Sequence, residues 1–245
     1  MSNSHGPSTA RATEGRGHAC GDDTPPIAGV VFDFDGVLVD SLAVHRESWM
    51  LAFHEVLGCD LPQVPKEEIA GKSTYEIGAA FCRYAGAPER GREVAEAKIR
   101  ILESKALLPE ALPGAAEVTE ALRMRGIPYG IASNAPGSYV RRVAETLSLN
   151  PQVALGFEDV RSPKPDPGAY ITCAQRLGFS EVDRGRILVC EDSVPGLKAA
   201  LSAGMRTLAV TTTAHAGQLK RLGAEIIADN LLAAVQHIDV FQKPS

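Results

Sequence analysis

Short runs of apolar residues recur along the chain and predict the strands of a buried sheet. The first run, residues 27–32, is nearly continuous, as expected for a strand that is covered on both faces of a parallel sheet. Similar runs occupy residues 128–132, 186–190, 206–210 and 225–228. We expect these segments to form the centre of one core.

Between these runs, apolar residues recur at the spacing of a helix face. Helices are predicted at residues 115–125, 137–147, 167–177 and 194–203. Strands that alternate with helices pair in parallel through right-handed crossovers. The pattern therefore predicts an α/β fold with a doubly wound parallel sheet.

The stretch after the first strand differs, because it has helical spacing and Gly and Pro breaks but no strand-like run. Its predicted helices are residues 44–57, 74–85 and 89–106. We interpret it as an all-helical cap inserted into the core, of a size usual for a small domain. The predicted limits are 27–39 and 110–245 for the α/β core and 40–109 for the cap.

Composition excludes several classes of protein. With 245 residues and 44% hydrophobic content, the chain can bury a substantial core. Residues 1–26 are rich in Gly, Ser, Thr, Pro and charge and have no central apolar segment, which predicts a disordered tail and not a signal peptide. No apolar run approaches the roughly 20 residues that cross a bilayer. The five cysteines show no paired spacing, so we expect reduced thiols and a cytoplasmic protein.

The charge balance argues against a nucleic-acid partner. The chain has 25 basic and 30 acidic residues, a net charge of −5, and no long run of either sign. A small anionic ligand stays open, because local charge can oppose the total. We expect a protein without nucleic-acid or membrane partners that is a monomer or a weak homodimer.

Four polar segments stand where predicted strands end or loops begin. They read DFDG, ASN, SPKPDP and CEDS. In a doubly wound sheet the ligand lies outside the carboxyl ends of the strands, where these segments would meet. Together they supply four carboxylates, one hydroxyl and one ammonium: Asp33, Asp35, Glu191, Asp192, Ser133 and Lys164.

This set of groups suits a cation and a phosphoryl group. Crowded carboxylates raise one another's pKa unless a cation balances them, and Mg²⁺ prefers hard oxygen ligands. A carboxylate that attacks an anionic phosphate ester needs a metal and a lysine to offset the charge, and Lys164 is the candidate. One of Asp33 and Asp35 can attack while the other transfers protons.

The segments DFDGVLVDS, KPDP and EDS, in this order, resemble the haloacid dehalogenase superfamily. The likeness covers residues 27 to roughly 230 and is strongest to the phosphatases and phosphomutases with a helical cap after the first motif. The resemblance implies a Mg²⁺-dependent phosphatase that hydrolyses a small phosphorylated metabolite through an aspartyl-phosphate. A sugar phosphate or a phosphoglycolate-like compound would be its substrate.

The resemblance also implies a role for each motif residue. Asp33 matches the nucleophile and metal ligand, and Asp35 the general acid/base whose backbone carbonyl meets the metal. Ser133 matches the phosphate-binding hydroxyl, with Asn134 beside it. Lys164 matches the cation that orients nucleophile and phosphoryl group. The acidic pair that completes the Mg²⁺ site corresponds to Glu191 and Asp192.

Structural alternatives stay open for several of these residues. Ser133 or Asn134 could cap a helix that begins near residue 136. Lys164 could be a solvated loop lysine, followed by Asp166 as the N-cap of the next helix. The acidic pair at residues 191–192 could be a turn in which Asp192 or Ser193 caps the helix at 194.

The cap offers weaker candidates for substrate contact. His45 stands where β-phosphoglucomutase-like proteins carry a histidine, and the loop AGKSTYE resembles the cap segment that reaches the substrate, which makes Lys72 and Ser73 candidates. Trp49 and Phe53, at positions i and i+4, are predicted to lie in the core of the cap.

Two other functions remain open at this stage. A β-phosphoglucomutase-like phosphotransferase would share Asp33, Asp35 and His45, but Thr74 stands where that resemblance expects an arginine for the distal phosphate. A noncatalytic binding protein on the same fold would not need the full set of catalytic side chains. Dehalogenases lack the second motif aspartate, so Asp35 argues for phosphoryl transfer.

Overall fold

The computed structural model describes residues 25–69, 72–104 and 107–242. The predicted tail, 1–26, lies outside this part of the chain except for Pro25 and Pro26. Their carbonyl oxygens accept hydrogen bonds from Arg206 and Arg186.

Eight strands form two sheets in the described part of the chain. They are β1 (Gly29–Phe32), β2 (Val39–Asp40), β3 (Glu110–Ala111), β4 (Tyr129–Ala132), β5 (Val153–Leu155), β6 (Ile187–Glu191), β7 (Arg206–Val210) and β8 (Ile226–Ala228). Six of them form a parallel sheet in the order β5-β4-β1-β6-β7-β8. The chain leaves β1 toward β4 and later returns on its other side at β6, so the order reverses at β1. The predicted doubly wound α/β fold is confirmed.

Nine α-helices lie in the described part of the chain, and those that follow the cap cover both faces of this sheet. They are α1 (Leu42–Leu57), α2 (Thr74–Tyr84), α3 (Gly91–Glu103), α4 (Ala115–Met124), α5 (Gly137–Thr146), α6 (Gly168–Arg176), α7 (Val194–Ser202), α8 (Ala216–Leu222) and α9 (Leu231–Ala234). Because side chains alternate along a strand, Val30 and Phe32 of β1 face the α4 and α5 side, while Val31 faces α6 and α7. Both faces of β1 are therefore buried, as its continuous apolar run predicts.

The cap consists of α1, α2 and α3 packed around their own apolar cluster. Trp49 and Phe53 are buried in it, as predicted, and the Trp49 ring lies 5.4 Å from that of Phe81. The chain leaves the core through β2 and returns through β3, and these two strands pair antiparallel with Asp40 opposite Glu110. We propose 40 and 109 as the limits of the cap, and this pairing supports them.

Two further expectations concern membrane-spanning helices and the state of the cysteines. None of the described helices is long and apolar enough to span a bilayer. The described cysteines are free thiols, with Cys59 exposed and Cys82, Cys173 and Cys190 buried. Cys20 lies outside the described residues.

Candidate active site

The candidate site lies at the carboxyl edge of the sheet, where β1, β4 and β6 end. Asp33 follows β1, Ser133 follows β4, and Glu191 and Asp192 stand at the end of β6. Lys164 comes from the loop between β5 and α6 and meets them there. The structure brings these five predicted residues together around a cavity of about 500 Å³.

Lys164 is the buried cation of the site. Its side chain is 3% exposed, and its ammonium donates hydrogen bonds to Asp33 Oδ1 and, over 2.9 Å, to Glu191 Oε1. Burial lowers the pKa of Lys164, but the two carboxylates raise it by more, so the ammonium stays protonated. A solvated loop lysine would make no such contacts.

Glu191 is held on both of its oxygens. Oε1 accepts from Lys164 and, over 2.7 Å, from the hydroxyl of Tyr170. Oε2 accepts from the backbone N–H groups of Asp192 and Ser193, each over 2.9 Å, and from the Ser193 hydroxyl. Burial raises the pKa of Glu191, but Lys164 and these hydrogen bonds lower it below its usual range. Glu191 is therefore an ionised carboxylate in a fixed orientation that aims Lys164 at Asp33.

Asp192 and Asp33 experience excess negative charge. Burial and the neighbouring Glu191 raise the pKa of Asp192 to about 7, although Thr213 donates a hydrogen bond to it. Burial raises the pKa of Asp33 well above its usual value, Lys164 lowers it, and Glu191 and Asp192 raise it further. One ammonium does not balance three buried carboxylates in this space.

Two glycines allow these carboxylates to lie where they do. A Cβ at Gly196, in the first turn of α7, would lie 1.6 Å from Glu191 Oε1. A Cβ at Gly36, whose φ is +81°, would lie 2.0 Å from Asp192 Oδ2. Since neither distance is sterically possible, both positions require glycine for the observed site.

Asp35 points away from this cluster and toward the cap. Its Oδ1 lies 3.1 Å from His45 Nε2, and its Oδ2 accepts a hydrogen bond of 3.4 Å from the Ser133 hydroxyl. Burial raises the pKa of Asp35, but the charge and hydrogen bond of His45, together with Ser41, bring it down to about 2. The carboxylate thus lies between the core and the cap, apart from the other three.

Ser133 and Asn134 both line the cavity. The Ser133 hydroxyl accepts from the Ala135 N–H over 3.0 Å, and Asn134 Oδ1 accepts from the Lys164 N–H over 3.2 Å. The alternative that either residue caps the next helix is wrong. Helix α5 begins at Gly137, whose N–H donates to Glu158 over 2.8 Å.

The starts of helices α6 and α7 decide the two remaining capping alternatives. Ser193 is the N-cap of α7, since its hydroxyl accepts from the Gly196 N–H over 3.1 Å. The N-cap of α6 is Pro167 and not Asp166, because the helix begins one residue later than predicted. Asp166 instead accepts from the Gly168 N–H over 2.8 Å.

The cap candidates lie in different places. Lys72 lines the same cavity as Asp33, and its ammonium lies 3.7 Å from Glu68. Ser73 is the N-cap of α2 and exchanges hydrogen bonds with Glu76 in a capping box. Its hydroxyl is already used, and it lines a neighbouring cavity.

Sequence reasoning missed three supporting residues. Tyr170 holds Glu191 with its hydroxyl, and its ring centroid lies 4.6 Å from the Lys164 ammonium. Thr213 binds Asp192, and Gly196 makes room for Glu191. A glycine in the first turn of a helix, directly after an acidic strand end, was an available signal for Gly196. Nothing local to the sequence marks the other two.

The three carboxylates could hold a metal ion. One oxygen from each of Asp33, Glu191 and Asp192 can be chosen so that all three lie within 4.8 Å of one another. Hard, buried oxygen donors with unbalanced negative charge fit a divalent cation. The donor set therefore agrees with a metal centre beside the nucleophile candidate.

Comparisons with known proteins agree with this geometry. Hexitol phosphatase A from Escherichia coli (strain K12) is 30% identical over 229 residues, which are 89% of this chain and 95% of that protein. Phosphoglycolate phosphatase from Shigella boydii serotype 4 (strain Sb227) is 26% identical over 211 residues, 76% of this chain and 81% of that protein.

A solved structure and a family model extend the comparison. CbbY from Rhodobacter sphaeroides, in complex with phosphate, has the same fold with a TM-score of 0.72 and 23% identity, over 85% of this chain and 96% of that one. The model of the haloacid dehalogenase-like hydrolases matches residues 27–204. This match spans more than half of the chain, which therefore belongs to the haloacid dehalogenase-like hydrolase family.

Proposed function

We propose that this phosphoric monoester hydrolase acts on a small phosphorylated metabolite, with Mg²⁺ and through an aspartyl-phosphate on Asp33. The observation that carries the proposal is the buried contact of Asp33 with Lys164, in a cluster of carboxylates with excess negative charge. The relatives named for hexitol phosphates and phosphoglycolate support a sugar phosphate or a phosphoglycolate-like substrate.

The predicted metal ligands fit this role to different degrees. The pKa values of the Asp33 and Asp192 carboxyl groups are raised, and a cation bound to their oxygens would lower them. Glu191 lies close enough, but its two oxygens already accept five hydrogen bonds, so it would have to give one of them up to ligate, and Asp192 is the surer ligand. The backbone carbonyl of Asp35 stays a predicted ligand. When bound, Mg²⁺ would offset the charge that builds up on the phosphoryl oxygens.

The first half of the reaction uses Asp33 as nucleophile. An oxygen of Asp33 attacks phosphorus, and the bond between phosphorus and the leaving oxygen breaks. Lys164 offsets the negative charge, while Ser133 and Asn134 line the space for the phosphoryl oxygens. Asp35 is ionised in the free protein, but the approaching phosphate raises its low pKa, so it takes up a proton from solvent and gives that proton to the leaving oxygen.

The second half releases phosphate. Asp35 takes a proton from a water molecule, and the water oxygen attacks phosphorus. The bond between Asp33 and the phosphoryl group breaks, which restores the Asp33 carboxylate and frees inorganic phosphate. His45 contacts Asp35 from the cap and positions it for both steps. Lys72, at the rim of the same cavity, is the proposed cap contact to substrate.

We favour hydrolysis over the mutase alternative. A mutase must hold a second phosphate, and Thr74 brings no charge to the position where the resemblance expects an arginine. Retention of every motif side chain in one cavity disfavours the noncatalytic alternative. Cytoplasmic location, a monomer or weak homodimer, and the absence of nucleic-acid or membrane partners stay predictions.

The test is phosphate release from a panel of phosphorylated sugars, polyols and small acids, with Mg²⁺ and with EDTA. We expect Mg²⁺-dependent release from a few compounds and a loss of about four orders of magnitude in Asp33→Asn, which keeps the shape of the side chain. Circular dichroism of the variant serves as the folding control. Release that persists in EDTA, or an active Asp33→Asn variant, would contradict the proposal.

A further inference from the structure

A second cavity of about 420 Å³ adjoins the catalytic one. It lies between the start of cap helix α2, residues 73–76, and the core loop at residues 157–163. Asn134 lines both cavities, so they meet at a residue whose side chain also contacts the Lys164 backbone. The second cavity, here called the side chamber, is therefore a continuation of the active site between cap and core.

The chamber is placed to receive what is attached to the phosphate. Arg161 lies three residues before Lys164, so their Cα atoms are within about 11 Å of each other. The catalytic cavity itself is lined by the groups that would hold the phosphoryl end. A leaving group that extends from the phosphoryl end past Asn134 enters the chamber.

The lining of the chamber combines apolar faces with two opposite charges. Tyr75, Phe157, Val160 and Pro163 supply apolar surface, and Tyr75 is 42% exposed. Arg161 supplies the positive charge and Glu76 the negative one, with Ser162 beside them. The pKa of Glu76 is lowered by hydrogen bonds from Ser73, so its carboxylate is ionised.

Arg161 is free to bind. The structure gives its guanidinium no hydrogen bond or ion pair with any described residue, in contrast to Arg141 and Arg176 nearby, which both pair with Asp159. Glu76 uses Oε2 for Ser73 and has Oε1 left over. The Arg161 guanidinium and the Oε1 atom of Glu76 thus line the same space, and neither has a hydrogen-bond partner among the described residues.

We propose that the side chamber binds the polyhydroxylated end of a phosphorylated sugar or polyol, with Arg161 donating to its hydroxyls and Glu76 accepting from them. A hydroxylated carbon chain offers donors, acceptors and C–H faces, which match the guanidinium, the carboxylate and the aromatic walls. The inference rests on the proposed phosphatase function and narrows its substrate class.

The charge of the chamber disfavours two other ligands. A second phosphate would bring about two negative charges near pH 7, which Arg161 beside Glu76 does not neutralise. The carboxylate of a phosphoglycolate-like compound would meet Arg161 and Glu76 together, so repulsion from Glu76 would offset its attraction to the guanidinium. Arg161 and Glu76 of the chamber, with Lys72 of the catalytic cavity, leave about one net positive charge here, which is too little for a second phosphate, whereas hydroxyl groups can use both the donor and the acceptor of the chamber.

The kinetic test compares three substrates at saturating Mg²⁺: sorbitol 6-phosphate, phosphoglycolate and acetyl phosphate. In Arg161→Ala we expect the ratio of kcat/KM for sorbitol 6-phosphate to that for acetyl phosphate to fall by about 10-fold or more, chiefly through KM. Glu76→Gln keeps the capping box and should lower the same ratio by about threefold. Arg123→Ala, an exposed arginine of α4 that pairs with Glu120, is the matched control and leaves the ratio unchanged.

A binding test separates this proposal from the proposed function. In Asp33→Asn with Mg²⁺, calorimetry should show that sorbitol 6-phosphate binds more tightly than inorganic phosphate, and adding Arg161→Ala should remove about 10-fold of that preference. A preserved preference, or a loss in Arg161→Ala confined to phosphoglycolate, would overturn the chamber assignment while leaving hydrolysis intact. The expected preference without turnover by the unaltered protein would uphold the chamber and overturn the hydrolase mechanism.

Discussion

The core side and the cap side of the active site are built in opposite ways. On the core side, Lys164, Glu191 and Asp192 are almost completely buried and linked by hydrogen bonds. On the cap side, His45 and Lys72 are partly exposed, and Lys72 makes one loose contact with Glu68.

We relate this difference in burial to two tasks, the reaction itself and the choice of substrate. Buried charges tolerate little displacement, because each unpaired group would cost several kcal/mol, and this fixes the reacting atoms. Exposed and loosely paired groups can change partners at little cost, which suits contacts to a variable leaving group. The comparison predicts that changes on the core side affect rate and folding most, whereas changes on the cap side affect them less.

The strongest test of this contrast is Lys164→Met, which keeps most of the side-chain volume and removes the charge. The substitution leaves Asp33 and Glu191 without their buried cation. We expect turnover to fall by about three orders of magnitude and the free energy of unfolding by about 3–5 kcal/mol. Initial rates at saturating Mg²⁺ and urea denaturation measure the two effects, and a variant within tenfold of the original rate would show that Lys164 is not needed as a counter-charge.

A smaller effect is expected from Gly196→Ala. The new methyl group would overlap Glu191 Oε1, so α7 or the carboxylate must shift, at a cost of about 3 kcal/mol. Gly217→Ala, in the first turn of α8, is the control, because its Cβ would meet Arg221 at 3.6 Å, which is ordinary contact. That control should be neutral or stabilising by up to about 1 kcal/mol. Equal melting temperatures for the two variants would contradict the packing argument.

The smallest effect is expected on the cap side, from His45→Gln, and it depends on pH. The folded pKa of Asp35, about 2, lies below the usual 3.8, so this group stabilises the fold above pH 4 and loses its contribution as pH falls toward 2. In His45→Gln, burial still raises the pKa of Asp35, but the largest interaction that lowers this pKa is lost, so the pKa rises. We expect a loss of about 2 kcal/mol near pH 5 that vanishes near pH 2.

Urea denaturation from pH 5 to pH 2 measures this dependence, with His54→Gln as control. His54 is an exposed histidine of the same helix, and the structure gives its side chain no contact with Asp35. A loss in His45→Gln that is equal at every pH would point to packing and not to the charge pair.

The fold was predictable where burial is continuous. Strands β1, β6 and β7 were predicted to within two residues, because each is an apolar run buried on both faces. The edge strand β5 was missed, because its run of three apolar residues is too short to stand out, and two of them, Val153 and Ala154, are only half-buried. Helix α8 was missed because its apolar positions, Ala216, Leu219 and Leu222, span only two turns, which is too short to set a period.

The site was predictable where local motifs carry it. Asp33, Lys164 and Glu191 stand at strand ends or in a charged loop, and the structure brings them together. Tyr170 is a buried residue of α6, as aromatic residues commonly are. Its hydrogen bond to Glu191 joins residues 21 positions apart in the chain, so no local pattern marks it. The side chamber was not predictable for the same reason, because it is a space between two segments far apart in the chain.

The short pairing of β2 with β3 has a consequence for how such a chain can diversify. Because Asp40 and Glu110 lie opposite each other, the cap is inserted into the chain of the core in the same way as the turn of a hairpin. Residues can be added, lost or exchanged beyond that ribbon without altering the register of the six-stranded sheet. The α/β core, with the candidate site residues that it carries, can therefore be inherited intact while its cap is replaced.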